Sequence, residues 1–227
     1  MAMKKNNREK NNAKKPRSSK TVAASSATKP PSTLRRLIDL DTAWSLHIHT
    51  ICHPIIPRSA LKALEISGDG RFWLPIPVAL LLATPPPLRP IPLLLLLGFL
   101  LDLLLVGSLK YLVRRPRPSY NAGMHLTVAV DHWSFPSGHS SRVCFIAAFL
   151  YLSSASLAEE FHRLGSPQIP LSAVLLWSAS TCMSRVLLGR HFVFDVIAGA
   201  CLGLFEAVVV FRIGKFMHQM DNFYPVI

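Results

Sequence analysis

Residues 91–113 read IPLLLLLGFLLDLLLVGSLKYLV. Spanning a bilayer as a helix takes about 20 predominantly apolar residues, and this run meets that length with two charges, Asp102 and Lys110. Hydrocarbon offers no partner for unpaired backbone groups, so the neighbours of such a segment are expected to be helices as well. Working outward, residues 72–84 form a short apolar run that ends at Pro85-Pro86-Pro87, and residues 140–157, 169–188 and 193–213 form three more. The pattern predicts an all-α integral-membrane bundle of five transmembrane helices, or six if residues 35–63 also cross. There is no β-barrel alternation and no internal repeat.

The flanks read differently. Residues 35–68 mix Leu37, Ile38, Trp44 and Ile48 with Asp39, Asp41, His47, His49 and His53. They predict an interfacial amphipathic helical segment with Trp44 at the headgroup level. The histidines there are loosely spaced like metal ligands, but an interfacial histidine-rich face is the expected reading. Residues 1–34 are Lys, Asn, Ser, Thr, Ala and Pro with almost no large apolar side chain, which predicts a disordered basic tail. Being basic and acid-poor, this tail is also compatible with a transit peptide. The expected layout is this tail, the interfacial segment 35–68, a transmembrane domain at 69–215 and a C-terminal tail at 216–227.

Composition agrees with a membrane protein. Of 227 residues 50% are hydrophobic and 16% charged, with mean hydropathy +0.34, where soluble domains carry roughly 25% charged residues. The net charge of +13 does not indicate nucleic acid. Eleven of the 25 basic residues lie in residues 1–36, and most others border apolar runs. No basic patch interleaved with exposed aromatics appears. Cys52, Cys144, Cys182 and Cys201 share no ligand spacing and give neither a zinc site nor a disulfide framework.

Chemistry is signalled where charge meets the helix ends. Lys110 closes the long run and is followed by Arg114, Arg115 and Arg117; Arg185 closes the fourth run; His191 and Asp195 open the fifth. Ionisable groups at membrane depth are costly and default to functional candidates. Lys110, Arg117 and Arg185 carry charge suited to phosphate oxygens. Pro136-Ser137-Gly138 precedes a helix that begins near His139, and helix N-termini bind anions. His191 and Asp195 are four residues apart and share a helix face, an arrangement in which a carboxylate supports an imidazole nucleophile. His139 is then a candidate general acid.

Lys110-x6-Arg117-Pro118, Pro136-Ser137-Gly138-His139 and Ser184-Arg185-x5-His191-x3-Asp195 resemble the three signature motifs of the type 2 phosphatidic acid phosphatase superfamily, intact and in order. The likeness covers residues 64–213. The stretches Leu64-Glu65-Ile66-Ser67-Gly68 and Leu101-Asp102-Leu103-Leu104-Leu105-Val106 make the sequence similar to the presqualene diphosphate phosphatase and plant lipid phosphate phosphatase beta group within it.

That resemblance implies a hydrolase of lipid phosphates or diphosphates. His191 would form a phosphohistidine, Asp195 would support it, and His139 would protonate the leaving oxygen and then activate water. Lys110, Arg117, Ser137, Gly138 and Arg185 would clamp the phosphoryl group. No metal and no cofactor are implied, because cationic side chains supply the charge stabilisation. Arg114, Arg115 and Arg190 lie outside the signature positions and are expected either to anchor the chain at the membrane surface or to contact a second phosphate. Asp102 is expected to pair with a basic residue of another helix or to face a polar cavity. The implied partners are a membrane lipid substrate and the bilayer, with isoprenoid diphosphates and phosphatidic acid as the lipid classes. A lipid-phosphate binding or transport protein, and a phosphotransferase using a lipid acceptor, are the competing readings. The endoplasmic reticulum is the expected membrane, with a plastid membrane second. The basic tail predicts a cytosolic N-terminus and a cytosolic site if residues 35–63 do not cross.

Overall fold

The computed structural model describes residues 32–52, 54–84, 89–120, 132–155, 157 and 170–223, with side chains to residue 219. The basic tail before Ser32, His53, Pro85-Pro86-Pro87 and the last four residues lie outside these. Among the described residues the chain is helical and has no strand. The helices are α1 (Thr33–Cys52), α2 (Arg58–Ser67), α3 (Gly70–Trp73), α4 (Pro75–Ala83), α5 (Pro90–Val113), α6 (Gly138–Leu152), α7 (Leu171–Leu187) and α8 (Val193–Phe223). Helix α1 therefore starts just inside the expected tail. Helix α8 continues through most of the segment expected to be a C-terminal tail.

Local chemistry sets the starts. Helices α4 and α5 open on prolines at the first turn, where a missing N–H costs nothing and φ is already helical. Helix α6 opens on Ser137, whose hydroxyl accepts from the Ser140 N–H at 3.4 Å. Two helices among the described residues are long and apolar enough to cross a membrane, Pro90–Val113 with hydropathy 2.4 and Val193–Gln219 with 2.2. The other expected crossings form shorter helices, α4 of 9 residues, α6 of 15 and α7 of 17.

Helices α5, α6 and α8 share an apolar core of Leu95, Phe99, Phe145, Ile146, Phe149, Ala207 and Val210. Phe99 meets Phe145 edge-on, ring centres 5.5 Å apart, the geometry that aromatic quadrupoles favour. Outside this core the usual distribution is inverted. Leu104, Leu112, Leu176 and Phe205 face outward, whereas Asp102, Glu206, Ser141 and Thr181 are buried. Large exposed apolar surface around a polar interior fits a bundle solvated by lipid. Asp102 does find a cation on another helix, Arg142 of α6 at 2.9 Å.

Helices α6 and α8 cross closely because α8 carries Gly199 and Gly203 one turn apart. A β-carbon at either would overlap the carbonyl of Ser137 or of Ser141. Small residues at this spacing let membrane helices approach backbone to backbone.

Helix α1 is the clearest departure from a simple amphipathic pattern. Its buried residues are Asp41 and Ser45, while Leu37, Ile38, Trp44, Leu46 and Ile51 are exposed. The polar stripe faces the protein because it meets the N-terminus of α8. Val193 N–H donates to Ser45 Oγ at 2.9 Å, and Phe194 N–H to Asp41 Oδ1 at 3.0 Å. These amides have no intrahelical partner, so α1 caps α8 from a distance of about 150 residues in sequence.

Candidate active site

The turn between α7 and α8 delivers two side chains to one place. Gly189 takes a left-handed conformation, φ 68°, just past α7. The following amides fold back, with Arg190 N–H donating to Arg185 O at 2.9 Å and His191 N–H to the same oxygen at 3.2 Å. The bare Gly189 also lets the Tyr120 ring pack against the turn, where a β-carbon would collide. Arg185, Arg190 and His191 are all fully buried as a result.

His191 is held in one tautomer. Its Nδ1 lies 2.7 Å from the Ser134 carbonyl, which can only accept, so Nδ1 carries the proton. Nε2 is left with its lone pair towards Arg117 Nη1, 3.3 Å away. Burial, and then the charges of Arg117, Arg185 and Lys110, hold the His191 pKa well below the ordinary imidazole value. A neutral ring with an unprotonated Nε2 is the nucleophilic form. Ser134 reaches this position because residues after the 121–131 segment pair with the backbone beyond α5: Ser134 N–H donates to Arg115 O at 2.8 Å, and Pro116 bridges to Trp133.

His139, in the first turn of α6, points Nε2 at the Glu65 carbonyl, 3.1 Å away, so its proton sits on Nε2. Lys110 comes from the last turn of α5, and Arg117 is fixed by donating Nη1 to Arg190 O at 2.7 Å. These groups share a cavity of about 720 Å³. Its lining combines Lys110, Arg117, His139, Arg185, Arg190 and His191 with the apolar side chains of Ile66, Leu74, Phe99, Leu103 and Val106, and includes Asp69, Arg71 and Arg142. Gly138 lines the same cavity and brings the N-terminus of α6 to its edge, a site with anion affinity.

Other expected residues are placed differently. Ser137 is buried and acts as the cap of α6, its Oγ accepting from Ser140 N–H and, at 2.9 Å, from Ser140 Oγ; it does not line the cavity. Asp195 Oδ2 stands 3.8 Å from His191 Nδ1, since the Ser134 carbonyl has the closer position. Asp195 instead accepts from Phe192 N–H at 2.9 Å and from Arg115 Nη1 at 2.8 Å. Arg115 is thereby turned away from the cavity, bridging Asp195 to Asp41 at 2.7 Å. Arg114 takes the left-handed position that ends α5, φ 52°, and packs over Tyr111. Neither is placed to contact a second phosphate. Arg190, the third arginine considered for that role, does line the cavity. In α1, His49 bonds the Leu187 carbonyl through Nδ1 at 2.7 Å, and His47 is exposed.

One site residue was marked in the sequence only as part of the Leu64–Gly68 stretch, with no role attached. Glu65 of α2 places Oε1 2.9 Å from Arg185 Nη1 and 3.0 Å from Arg190 Nε, with Oε2 3.3 Å from Lys62 Nζ. Burial alone would raise its pKa, but Arg185 and Arg190 outweigh that and hold it at about 2. With Lys62 at i−3, Glu65 reads in sequence as a surface helix pair.

Residues 91–217 match the family model described as the PAP2 superfamily. The chain is 41% identical to a probable lipid phosphate phosphatase beta of Arabidopsis thaliana over 79% of this chain and 91% of that one. It is 30% identical to a dihydrosphingosine 1-phosphate phosphatase of Schizosaccharomyces pombe, over 50% of this chain and 28% of the other. Among solved structures, a transmembrane PAP2-type phosphatidylglycerolphosphate phosphatase of Bacillus subtilis superposes with a TM-score of 0.60 at 26% identity, covering 82% of this chain and 87% of that one.

Proposed function

The chain belongs to the PAP2 superfamily, a family of membrane phosphatases, and from that premise we propose that it hydrolyses lipid-borne phosphate through a phosphohistidine, without a metal. The observation that carries this is the tautomer of His191. Its Nε2 lone pair faces Arg117 in a cavity lined by both cationic and apolar side chains. An amphiphile fits such a cavity, with phosphate among the guanidinium groups and chain along Phe99, Leu103 and Val106.

The steps follow from what each atom holds. His191 Nε2 attacks phosphorus as the bond to the leaving oxygen breaks, and His139, entering the step as an imidazolium beside the anionic phosphate, gives its Nδ1 proton to that oxygen while Nε2–H stays on the Glu65 carbonyl. The ring of the phosphohistidine becomes cationic. The Ser134 carbonyl and the nearby Asp195 carboxylate stabilise that charge. Water then attacks phosphorus, giving its proton to His139, and orthophosphate leaves while His191 recovers its lone pair. Lys110, Arg117, Arg185 and Arg190 supply positive charge for the phosphoryl oxygens throughout, the role a metal ion would otherwise fill.

The substrates we propose are isoprenoid diphosphates of the farnesyl, geranylgeranyl or presqualene type, phosphatidic acid, or both. The names of the Arabidopsis and fission-yeast relatives support lipid phosphates as a class, and Arg190, which lines the cavity, is the arginine we assign to a second phosphate in addition to its charge on the reacting one. The test is phosphate release by purified protein in detergent with chelator present, from farnesyl diphosphate and phosphatidic acid in parallel. Release that survives chelator and vanishes in His191→Ala is the expected result, and the faster lipid identifies the preferred class. Folded wild-type protein that binds these lipids and releases nothing would move the assignment to lipid-phosphate binding.

A further inference from the structure

Glu65 occupies part of the place a phosphate would take. Its Oε1 accepts from Arg185 Nη1 and Arg190 Nε at once, a two-guanidinium contact like the one these arginines would give a phosphoryl oxygen. Both arginines are 1% exposed in their side chains and Glu65 is 15% exposed, so the carboxylate is the more solvent-accessible partner of the contact. Lys62, 38% exposed in its side chain, already touches Oε2 at 3.3 Å. A carboxylate that gave up the two arginines would therefore still have a cation to rest on.

We propose that Glu65 is an internal competitor for the phosphate site: its carboxylate holds Arg185 and Arg190 in the empty enzyme and is displaced onto Lys62 by the incoming phosphoryl group. The inference rests on the phosphatase reading of this cavity. It carries two consequences. The buried arginines are never left without an anion, which would be costly at this depth. Product is expelled as Glu65 returns, because orthophosphate must compete with a tethered carboxylate for the same two guanidinium groups. Glu65 thus sets affinity for the phosphoryl group, separately from the attack by His191.

The alternative is that Glu65 stays in place and orients the arginines. The two roles predict opposite signs. Orthophosphate binding is measured by calorimetry on wild type and Glu65→Gln, alongside phosphate release from the better lipid substrate. Displacement predicts that Glu65→Gln binds orthophosphate at least about tenfold more tightly, the scale of one charge-assisted contact. Turnover by the variant should then saturate at lower substrate and slow through retained product. Orthophosphate affinity that is unchanged or weaker in Glu65→Gln overturns the proposal. If the Gln variant does not fold, Glu65→Asp decides. Its shorter side chain reaches two guanidinium groups poorly, so tighter orthophosphate than wild type supports displacement, and equal or weaker binding overturns it. Wild-type protein that neither releases phosphate from lipid nor binds orthophosphate would instead remove the phosphatase reading itself.

Discussion

Two arginine–carboxylate networks adjoin His191, and they are charged in opposite proportions. On the cavity side one carboxylate, Glu65, meets three cations, Lys62, Arg185 and Arg190; Lys110, Arg117, Arg142 and the Asp69–Arg71 ion pair line the same space. Outside the cavity a single guanidinium, Arg115, is shared by two carboxylates, Asp41 and Asp195, and lies over the Phe192 ring at 4.0 Å. The Tyr120 hydroxyl belongs to this second region, its pKa raised by burial and then by Asp41 and Asp195. An excess of buried cations calls for an anion from outside. A cation already matched by two acids calls for nothing and joins α1, the end of α5 and α8 together. Arg115 and Arg117 are two residues apart in sequence, yet one serves the scaffold and the other faces the chemistry.

That contrast can be broken by substitution, and the largest effect belongs to the cavity side. His191→Ala should lower phosphate release by roughly 10⁴-fold or more while leaving the thermal unfolding midpoint within a few degrees. Arg185→Gln should lower kcat/KM by roughly 10²- to 10³-fold, as removal of one preorganised charge-stabilising donor does elsewhere. Arg115→Met should act chiefly on stability. It strands two buried carboxylates, at a cost of about 3–5 kcal/mol, read as a lowered unfolding midpoint. A full activity loss in Arg115→Met at unchanged midpoint would erase the distinction between the two networks.

Acidity sharpens the same comparison. The folded pKa of His191 is depressed by burial and then by Arg117, so below the ordinary value of about 6.5 the unfolded chain binds a proton that the folded chain refuses. Stability contributed by this group is present above that value and is lost progressively as pH falls from it towards the depressed folded pKa. His191→Gln should flatten the fall in unfolding midpoint between about pH 7 and pH 5.5, and wild-type kcat/KM should keep its plateau below the usual imidazole range. The smallest effect is expected at Arg114, which caps α5 on the surface. Arg114→Ala should change stability by about 0.5 kcal/mol or less and leave the diphosphate-to-monophosphate preference untouched, whereas Arg190→Ala should reduce that preference.

The residues legible in sequence were those whose type and spacing encode chemistry. Lys110, Arg117, His139, Arg185 and His191 stand together in the cavity as their motifs imply, and the apolar runs marked α5 and α8. Ser134 was illegible because its contribution is a main-chain oxygen, which any residue can supply. Glu65 stood out only within a stretch that marks the subfamily, and its role was illegible because its partners lie 120 and 125 residues away, while its neighbour Lys62 offers an ordinary surface explanation. Arg115 was misread for a related reason: proximity to a motif in sequence says nothing about which way a side chain turns after a helix ends. Asp41 looked like an interruption of an amphipathic pattern, and with Ser45 it proved to be the face that α1 presents to α8.

The glycine pair on α8 gives the molecule a machining tolerance. Gly199 and Gly203 seat α8 against the Ser137 and Ser141 carbonyls, and His139 is on one side of that joint while the turn carrying His191 feeds the other. The joint is thus the common datum from which both imidazoles are located. Reaction rates respond to displacements of about 1 Å between reacting groups, so a single added methyl at Gly203 would misalign acid and nucleophile before it unfolded the bundle.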